Sequence, residues 1–188
     1  MPRSFAFDWI KDEEGERRKQ MVDLARQQLR SYLDAQAKAR ITPAASSQKS
    51  THRPAAKKAP EPVLENVKMV AYDLWTTNQA VLILSAEAHL PAPPPGSPGG
   101  VETDLQYSIM LVAYPDIYNN LHKLYAGVTD KYHLDLTPRL ELIDTVDADG
   151  DGRGELLFRE TSDAGTGWII YRATGDKLWK MFDSLNPE

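Results

Sequence analysis

The chain has 188 residues, 41% of them apolar, with no cysteine and a formal net charge of −5. This length accommodates one domain with extensions, and the lack of cysteine excludes disulfides and thiolate chemistry. Residues 1–62 carry 13 Lys and Arg against 8 Asp and Glu (net +5), whereas residues 63–188 carry 9 against 19 (net −10). The acidic C-terminal part disfavours nucleic acid, which binds basic faces. No stretch approaches the roughly 20 apolar residues of a membrane-spanning helix.

The N-terminal segment, residues 1–39, is predicted to form an amphipathic helix, with helical periodicity over residues 12–38. Apolar side chains recur there at three- and four-residue steps between charged ones. They are Met21, Leu24, Ala25, Leu29, Tyr32 and Leu33. Such a stripe must be buried. The sequence leaves open whether it docks on its own β domain or a second copy, on a partner helix, or on a membrane surface.

Residues 40–62 are predicted to be a disordered linker. Proline, alanine and lysine dominate this segment, and no apolar periodicity persists through it. Such a composition buries too little apolar surface to offset the entropy of ordering. The simplest interpretation is a solvated tether. Its local excess of Lys and Arg makes attraction to an anionic surface the alternative.

Eight strands are predicted from Asn66 onward, near residues 67–73, 79–89, 105–114, 121–127, 138–146, 154–160, 167–173 and 177–183. The segments are short, rich in branched and aromatic residues, and separated by turn residues. The predicted fold class is therefore mainly β, with about eight antiparallel strands in two repeat-like sheets. A sandwich, a barrel and a partial propeller remain open as arrangements. This β domain spans residues 63–188 and contains a Pro- and Gly-rich loop at residues 91–100.

An acidic loop between two of these strands is the strongest chemical feature. Carboxylates occupy positions 1, 3, 5 and 9 of the segment 147–155, and a glycine occupies position 6. Ca²⁺ takes six to eight oxygen ligands, and glycine permits a sharp turn around the ion. The predicted ligands of a single Ca²⁺ are Asp147, Asp149, Asp151, the carbonyl of Arg153, and Glu155. The alternative is an Asp/Gly turn with solvated carboxylates.

The loop differs from an EF-hand, because its flanks are predicted strands and position 12 is Phe158 rather than a bidentate Glu. A strand, an Asp-rich loop and a second strand resemble the calcium loop of FG-GAP (integrin-type) and VCBS-type β repeats. The resemblance covers roughly residues 138–183, with Glu155 in place of the final Asp of the pattern. It implies a calcium-stabilised β repeat.

A weak internal echo predicts a degenerate first copy of this unit near residues 67–125. A shift of 74 residues places segment 69–74 on 143–148, so that Asp73 falls on Asp147. The other ligand positions of the first copy hold Trp75, Thr77 and Val81. Segment 112–116 echoes 172–176 at a shift of 60, and 123–125 echoes 180–182 at a shift of 57. The first copy should therefore lack a metal site.

Catalysis is not expected, because the sequence contains no nucleophile elbow, phosphate loop or zinc-protease helix. His133 lies near Asp130 and Asp135, and a locally hydrogen-bonded histidine is the simplest interpretation. Aromatic residues could stack on sugars or pack within the sheets. They are Trp75, Trp168, Trp179, Tyr107, Tyr114, Tyr118, Tyr125 and Tyr132.

The sequence thus favours a calcium-binding structural or protein-interaction module without catalytic activity. A carbohydrate-binding or hydrolytic domain that uses surface aromatics is the alternative. The partner would be another protein or a second copy of the chain. Loops of this type find enough calcium outside the cytoplasm, so an extracytoplasmic location, periplasmic or secreted, is expected. The apolar run at residues 5–10 is too short for a signal peptide, which leaves a cytoplasmic location as the alternative.

Overall fold

The computed structural model describes residues 5–9, 13–41, 62–90 and 105–186. A helix, α1 (Glu13–Ile41), precedes eight strands: β1 (Val63–Tyr72), β2 (Val81–His89), β3 (Gln106–Pro115), β4 (Leu121–Asp130), β5 (Arg139–Val146), β6 (Glu155–Ser162), β7 (Gly165–Ala173) and β8 (Leu178–Asp183). Strands β1–β4 form an antiparallel four-stranded sheet, sheet 1, and β5–β8 form sheet 2. The predicted fold class, mainly β with eight antiparallel strands in two sheets after one helix, is confirmed.

Helix α1 docks on the chain's own β domain, one of the partners that the sequence left open. Glutamates fill its first turn, where negative charge favours the positive end of the helix dipole. Met21, Ala25 and Leu29 recur every four residues and are fully buried against sheet 1. Among the described residues, no helix is long and apolar enough to cross a bilayer.

The boundaries of the N-terminal elements differ from the prediction. Helix α1 continues through Ile41, two residues into the segment predicted as linker, and residues 42–61 lie outside the described part. The loop at residues 91–100 also lies outside it. The stretch 5–9 is not helical: Ala6 forms a bridge with Tyr72, and the Phe5 carbonyl accepts a hydrogen bond from Asp73 N at 2.8 Å.

The molecule has three layers: helix α1, sheet 1 and sheet 2. Alternate residues of β2 face opposite ways, so Leu82 and Leu84 contact the helix while Val81 and Ile83 face sheet 2. On sheet 2, the inner face packs on sheet 1 through Leu156, Phe158, Ile169, Leu140 and Ala173. Sheet 1 is thus covered on both faces, which explains the nearly continuous apolar sequence of β2.

The two sheets repeat one another in strand pairing. Tyr72 pairs with Val81 across β1 and β2, and Val146 pairs with Glu155 across β5 and β6. Both members of the pair are therefore displaced by the 74 residues of the sequence echo. Next to the hairpin turn the first two strands of each sheet are equivalent at this shift, whereas beyond the bulge at Ile143 the pairing of β5 is offset by one residue.

The third strands of the two sheets correspond at a different residue shift from the one that the sequence predicted. Leu82 pairs with Ala113 as Leu156 pairs with Tyr171, so β3 and β7 are related by 58 residues. The shift of 60 from the sequence was wrong by two residues, because a short alignment cannot detect the cross-strand register. The fourth strands correspond at 57 residues, as predicted, and a bulge follows the equivalent residues Val112 and Ile170.

A junction between the sheets forms around Gly154, just before β6. Its N–H donates to the carbonyl of Leu74 at 2.8 Å. A Cβ at this position would lie 3.0 Å from the side chains of Leu74 and Phe5, so any larger residue would force these side chains to shift. Trp75 adds a hydrogen bond from Nε1 to the carbonyl of Ala173 at 2.9 Å. These contacts fix the base of the acidic loop against sheet 1.

Candidate metal centre

The acidic loop joins β5 to β6 and is shaped by its own carboxylates. Gly150 and Gly152 have positive φ angles of 77° and 84°, where side chains are disfavoured. Asp147 accepts a hydrogen bond from the N–H of Gly152 at 3.1 Å. Asp151 accepts one from the N–H of Arg153 at 2.8 Å. The backbone therefore curls so that alternate side chains converge.

Three of the predicted ligands come together. One carboxylate oxygen each of Asp147, Asp149 and Asp151 lies within 4.8 Å of the others, and all three residues are exposed. Carboxylates this close repel one another unless a cation or donors offset them. The cluster can hold a metal ion, and its all-oxygen donor set suits a hard cation such as Ca²⁺.

Glu155, the fourth predicted carboxylate, is held differently. Its side chain is fully buried, and Oε1 accepts hydrogen bonds from Nε and Nη2 of Arg172 at 2.9 and 2.7 Å. Oε2 accepts the N–H of Ala148 at 2.8 Å. Glu155 is therefore the buried anchor of the loop in this structure. The N–H of Arg153 is used to position Asp151, and the role of the Arg153 carbonyl as a ligand stays a prediction.

Arg172 is a residue of this candidate site that the sequence spacing of the loop does not predict. Besides Glu155, its Nη2 lies 2.6 Å from Asp149 and 3.4 Å from Asp151. Hydrogen bonds to Glu155 and Asp149 raise the pKa of Arg172, and the bond from Arg172 lowers the pKa of Asp149. Only the pairing of β7 with β6 brings this guanidinium to the loop. The loop thus contains a permanent cation on one side.

The equivalent loop of sheet 1 shows what the turn itself requires. Asp73, equivalent to Asp147, accepts the N–H groups of Thr77 and Asn78, each at 3.0 Å. Thr76 and Asn78 have positive φ angles of 57° and 60°, matching Gly150 and Gly152 after the 74-residue shift. One carboxylate therefore suffices to form this turn. In the second loop, Asp149 and Asp151 accept further backbone N–H groups, those of Asp151 and Arg153, and both contact Arg172.

His133 belongs to a hydrogen-bonded cluster around Asp130 that includes side chains of helix α1. Its Nδ1 lies 2.7 Å from Asp130, whose carboxylate also accepts hydrogen bonds from Tyr32 and Gln36 of helix α1, each at 3.2 Å. Burial of Asp130 opposes its ionisation, but the hydrogen bonds from His133 and its neighbours outweigh burial and lower the pKa. The cluster fastens helix α1 to the end of β4.

The aromatic residues that could stack on sugars are either packed in the core and between the sheets or exposed at the surface. Tyr107 is buried in the core, and Trp75 packs between the sheets. Trp168 and Trp179 are 48% and 53% exposed on the face of sheet 2 that points away from sheet 1, and Tyr118 and Tyr132 are exposed in turns. The remaining two, Tyr114 and Tyr125, pack between the sheets. Only the two tryptophans share an exposed sheet surface.

A charged groove of about 540 Å³ opens along the β1 and β5 side of the sheets. Four of its five charged side chains form ion pairs, Arg159 with Glu141 and Arg139 with Glu87 at 3.7 Å, and Lys68 is the fifth. Paired in this way, the two glutamates are occupied as salt-bridge partners.

The fold and this loop define a two-sheet β protein with an acidic cluster that can hold a metal ion. No protein-family model, curated protein or solved structure matches the chain. The resemblance to FG-GAP and VCBS-type repeats therefore stays an expectation that depends on the residues of the loop.

Proposed function

We propose that this chain is a calcium-binding structural module without catalytic activity, in which one Ca²⁺ stiffens the 147–155 loop. The observation that carries the proposal is the comparison of the two equivalent loops. Asp73 alone shapes the first loop, whereas the second adds Asp149 and Asp151 to a converging cluster. Three converging carboxylates, where the equivalent turn has one, exceed the single positive charge of Arg172 and suit a bound cation.

The proposed site uses Asp147, Asp149 and Asp151 as its central ligands. The Arg153 carbonyl and Glu155 are the remaining ligands that the loop spacing predicts. Oε1 of Glu155 accepts two hydrogen bonds from Arg172, whereas Oε2 accepts one from Ala148, so a bond to the ion would use the remaining lone pair of Oε2 or displace Arg172 from Oε1. Glu155→Gln separates the two roles. A ligand role requires a calcium Kd weakened at least tenfold, whereas an anchoring role requires lower stability in EDTA with little change in Kd.

The main experiment is a thermal melt in EDTA and in millimolar Ca²⁺. A ligand present at about 100 times its Kd adds roughly 2.7 kcal/mol to the folded state. For a chain of this size, that corresponds to a rise in Tm of about 5–11 °C. Mg²⁺ should raise the Tm less, because it needs a tighter octahedron and retains its waters. Calorimetry should give one site per chain, since Asp73 has no second carboxylate beside it.

Asp149→Ala tests the cluster directly. This substitution should abolish the calcium-dependent rise in Tm. It should leave the Tm in EDTA equal or slightly lower, because Asp149 also accepts a hydrogen bond from Arg172. The matched control is Asp163→Ala, an exposed turn carboxylate outside the loop, which should retain the full rise. Identical melts of the wild type in EDTA and Ca²⁺ would refute the proposal.

The module is proposed to act outside the cytoplasm, where calcium is abundant enough to fill a site of modest affinity. Fractionation of cells that express the native gene tests this location. A strictly cytoplasmic pool would contradict it.

A second candidate function, carbohydrate binding, is favoured by the exposure of Trp168 and Trp179 on one sheet face. Exposed indole rings offer flat apolar surfaces for sugar rings. Titration with soluble oligosaccharides, followed by tryptophan fluorescence, would then show saturation that Trp168→Ala removes. No fluorescence change across the titrations would exclude this function.

A further inference from the structure

A bulge in β1 turns a lysine into the charged groove on the β1 and β5 side of the sheets. The pairing of β1 with β2 shifts between Glu65 and Lys68, where β1 has one residue more than its partner strand. One extra residue exchanges the faces of the side chains that follow it. Lys68 therefore pairs with Ser85 on the face turned toward sheet 2, while its neighbour Val67 packs on the side of helix α1.

The bulge also engages a carboxylate of the groove. Asn66 has a positive φ of 50°, a conformation that is uncommon outside glycine and that asparagine tolerates better than most residues. Its Nδ2 donates a hydrogen bond to Oε2 of Glu87 at 2.5 Å. Bulges often lie beside binding sites, where they re-aim a side chain. This one presents Lys68 to the groove and leaves Glu87 already hydrogen bonded.

The polar groups that remain unbonded in the groove can all donate hydrogen bonds. Lys68 forms no hydrogen bond or ion pair with any residue that the structure describes. Nη2 of Arg139 lies 3.7 Å from Oε1 of Glu87, which is beyond hydrogen-bond range. Ser85 and Ser108 line the groove, and neither hydroxyl has a hydrogen-bond partner within the described part of the chain. Unused donors on both walls suit an acceptor that enters from solvent.

The charge of the groove is opposite to that of the β domain. Its lining carries three positive and two negative side chains, a net of +1, whereas residues 63–188 carry a net of −10. Both negative side chains are occupied, since Glu87 accepts a hydrogen bond from Asn66 and Glu141 accepts one from Arg159. The groove is therefore complementary to a ligand with one negative charge.

The groove has an apolar wall as well. Val70 and Ile83 line it from sheet 1, and Leu142 lines it from sheet 2. Its volume of about 540 Å³ lies within the range of small-molecule sites, which combine apolar walls with a few polar groups. An inorganic ion would leave these apolar side chains in water. The ligand that fits is an organic anion.

We propose that this groove binds a small organic anion with one carboxylate on an apolar body. Lys68 from sheet 1 and Arg139 from sheet 2 bind the carboxylate. The hydroxyl groups of Ser85 and Ser108 donate to its oxygens, and the apolar body lies against Leu142. The groove shares no residue with the 147–155 loop, so this ligand site and the proposed metal site are tested separately.

Hexanoate is the probe, because it joins one carboxylate to a short alkyl chain. It is titrated into the full chain in buffer freed of metal by a chelating resin, since soluble chelators are themselves carboxylates. Amide NMR signals of Ser85, Ser108 and Arg139 should shift saturably, with a Kd of about 1 mM or tighter. Hexanamide, the neutral isostere, should bind at least about tenfold more weakly, because it lacks the charge.

Lys68→Met and, independently, Arg139→Met should each raise the Kd for hexanoate about fivefold or more, because each removes a charged donor. Both side chains are exposed, so neither substitution disturbs the core. The control is Lys177→Met, the same change at an exposed lysine in the turn between β7 and β8. It should bind hexanoate like the wild type. Amide signals away from the groove report whether each variant is folded.

Four results would each overturn the proposal. The first is a wild type whose signals do not shift saturably up to about 20 mM hexanoate. The second is a set of shifts that centres away from the groove. The third is equal binding of hexanamide, which would show that the carboxylate is not recognised. The fourth is a Kd that both groove substitutions leave unchanged, or that Lys177→Met raises equally.

Discussion

Replacing Arg172 by tyrosine removes the positive charge on which the buried carboxylate of Glu155 depends. The substitution is taken from the protein itself: at the positions equivalent to Glu155 and Arg172, sheet 1 holds Val81 and Tyr114. Sheet 1 therefore shows that an apolar residue and a tyrosine fit this place in the strand pairing.

The size of the effect follows from burial. Removing one partner of a buried ion pair costs about 3–5 kcal/mol, because the other charge stays buried without compensation. The Glu155 side chain is fully buried, while that of Arg172 is 19% exposed, so the lower end is expected. A loss of about 3 kcal/mol lowers the Tm by about 6–12 °C for a chain of this length. Glu155→Val should cost only about 1 kcal/mol, because Arg172 keeps Asp149 and Asp151 as partners.

The double variant Glu155→Val with Arg172→Tyr should be more stable than Arg172→Tyr alone, since no buried charge is left. Urea denaturation and thermal melts in EDTA give the free energies of unfolding. Added Ca²⁺ should raise the Tm of Arg172→Tyr more than that of the wild type, because the guanidinium no longer competes for Asp149 and Asp151.

Arg159→Tyr is the matched control. It lies on the same face of the same sheet, but its partner Glu141 is 53% exposed, and such surface pairs contribute about 0–1 kcal/mol. The reasoning is refuted if Arg172→Tyr destabilises the protein no more than Arg159→Tyr. It is also refuted if the double variant loses the sum of the two single effects.

Two further predictions concern titration. Burial raises the pKa of Glu160, and its Oε2 has no hydrogen-bond partner among the described residues. A raised folded-state pKa makes ionisation costly, so Glu160→Gln should stabilise the protein by about 1–2 kcal/mol at pH 7, with no gain in urea melts below about pH 4. The hydrogen bond with His122 is the main cause that lowers the pKa of Asp116 to about 2. A depressed pKa stabilises the fold above the unfolded value of about 3.9, so the wild type should exceed Asp116→Asn at pH 5, and the difference should shrink between pH 4 and 2. A pH-independent difference in either series would contradict the assigned cause.

Much of the fold was determined locally by the sequence. Alternating apolar residues and turn residues were enough to predict eight strands, because side-chain period and turn conformation depend on near neighbours. The convergence of Asp147, Asp149 and Asp151 followed in the same way from their two-residue spacing around glycines. The 74-residue echo carried Asp73 onto Asp147, and the structure gives both aspartates the same role in shaping a turn.

The tertiary structure decided what those local elements contact. Arg172 reaches the acidic loop only because β7 pairs with β6 in one register, and register is set by the sum of contacts along both strands. Phe5 is buried beside Gly154, although nothing in its local sequence indicates a contact with residues about 150 positions away. The layer order likewise needed long-range packing: helix α1 covers one face of sheet 1, sheet 2 covers the other, and Trp168 therefore lies on an open face. Spacing in sequence sets the direction of a side chain, but only the packing of distant segments determines what it meets.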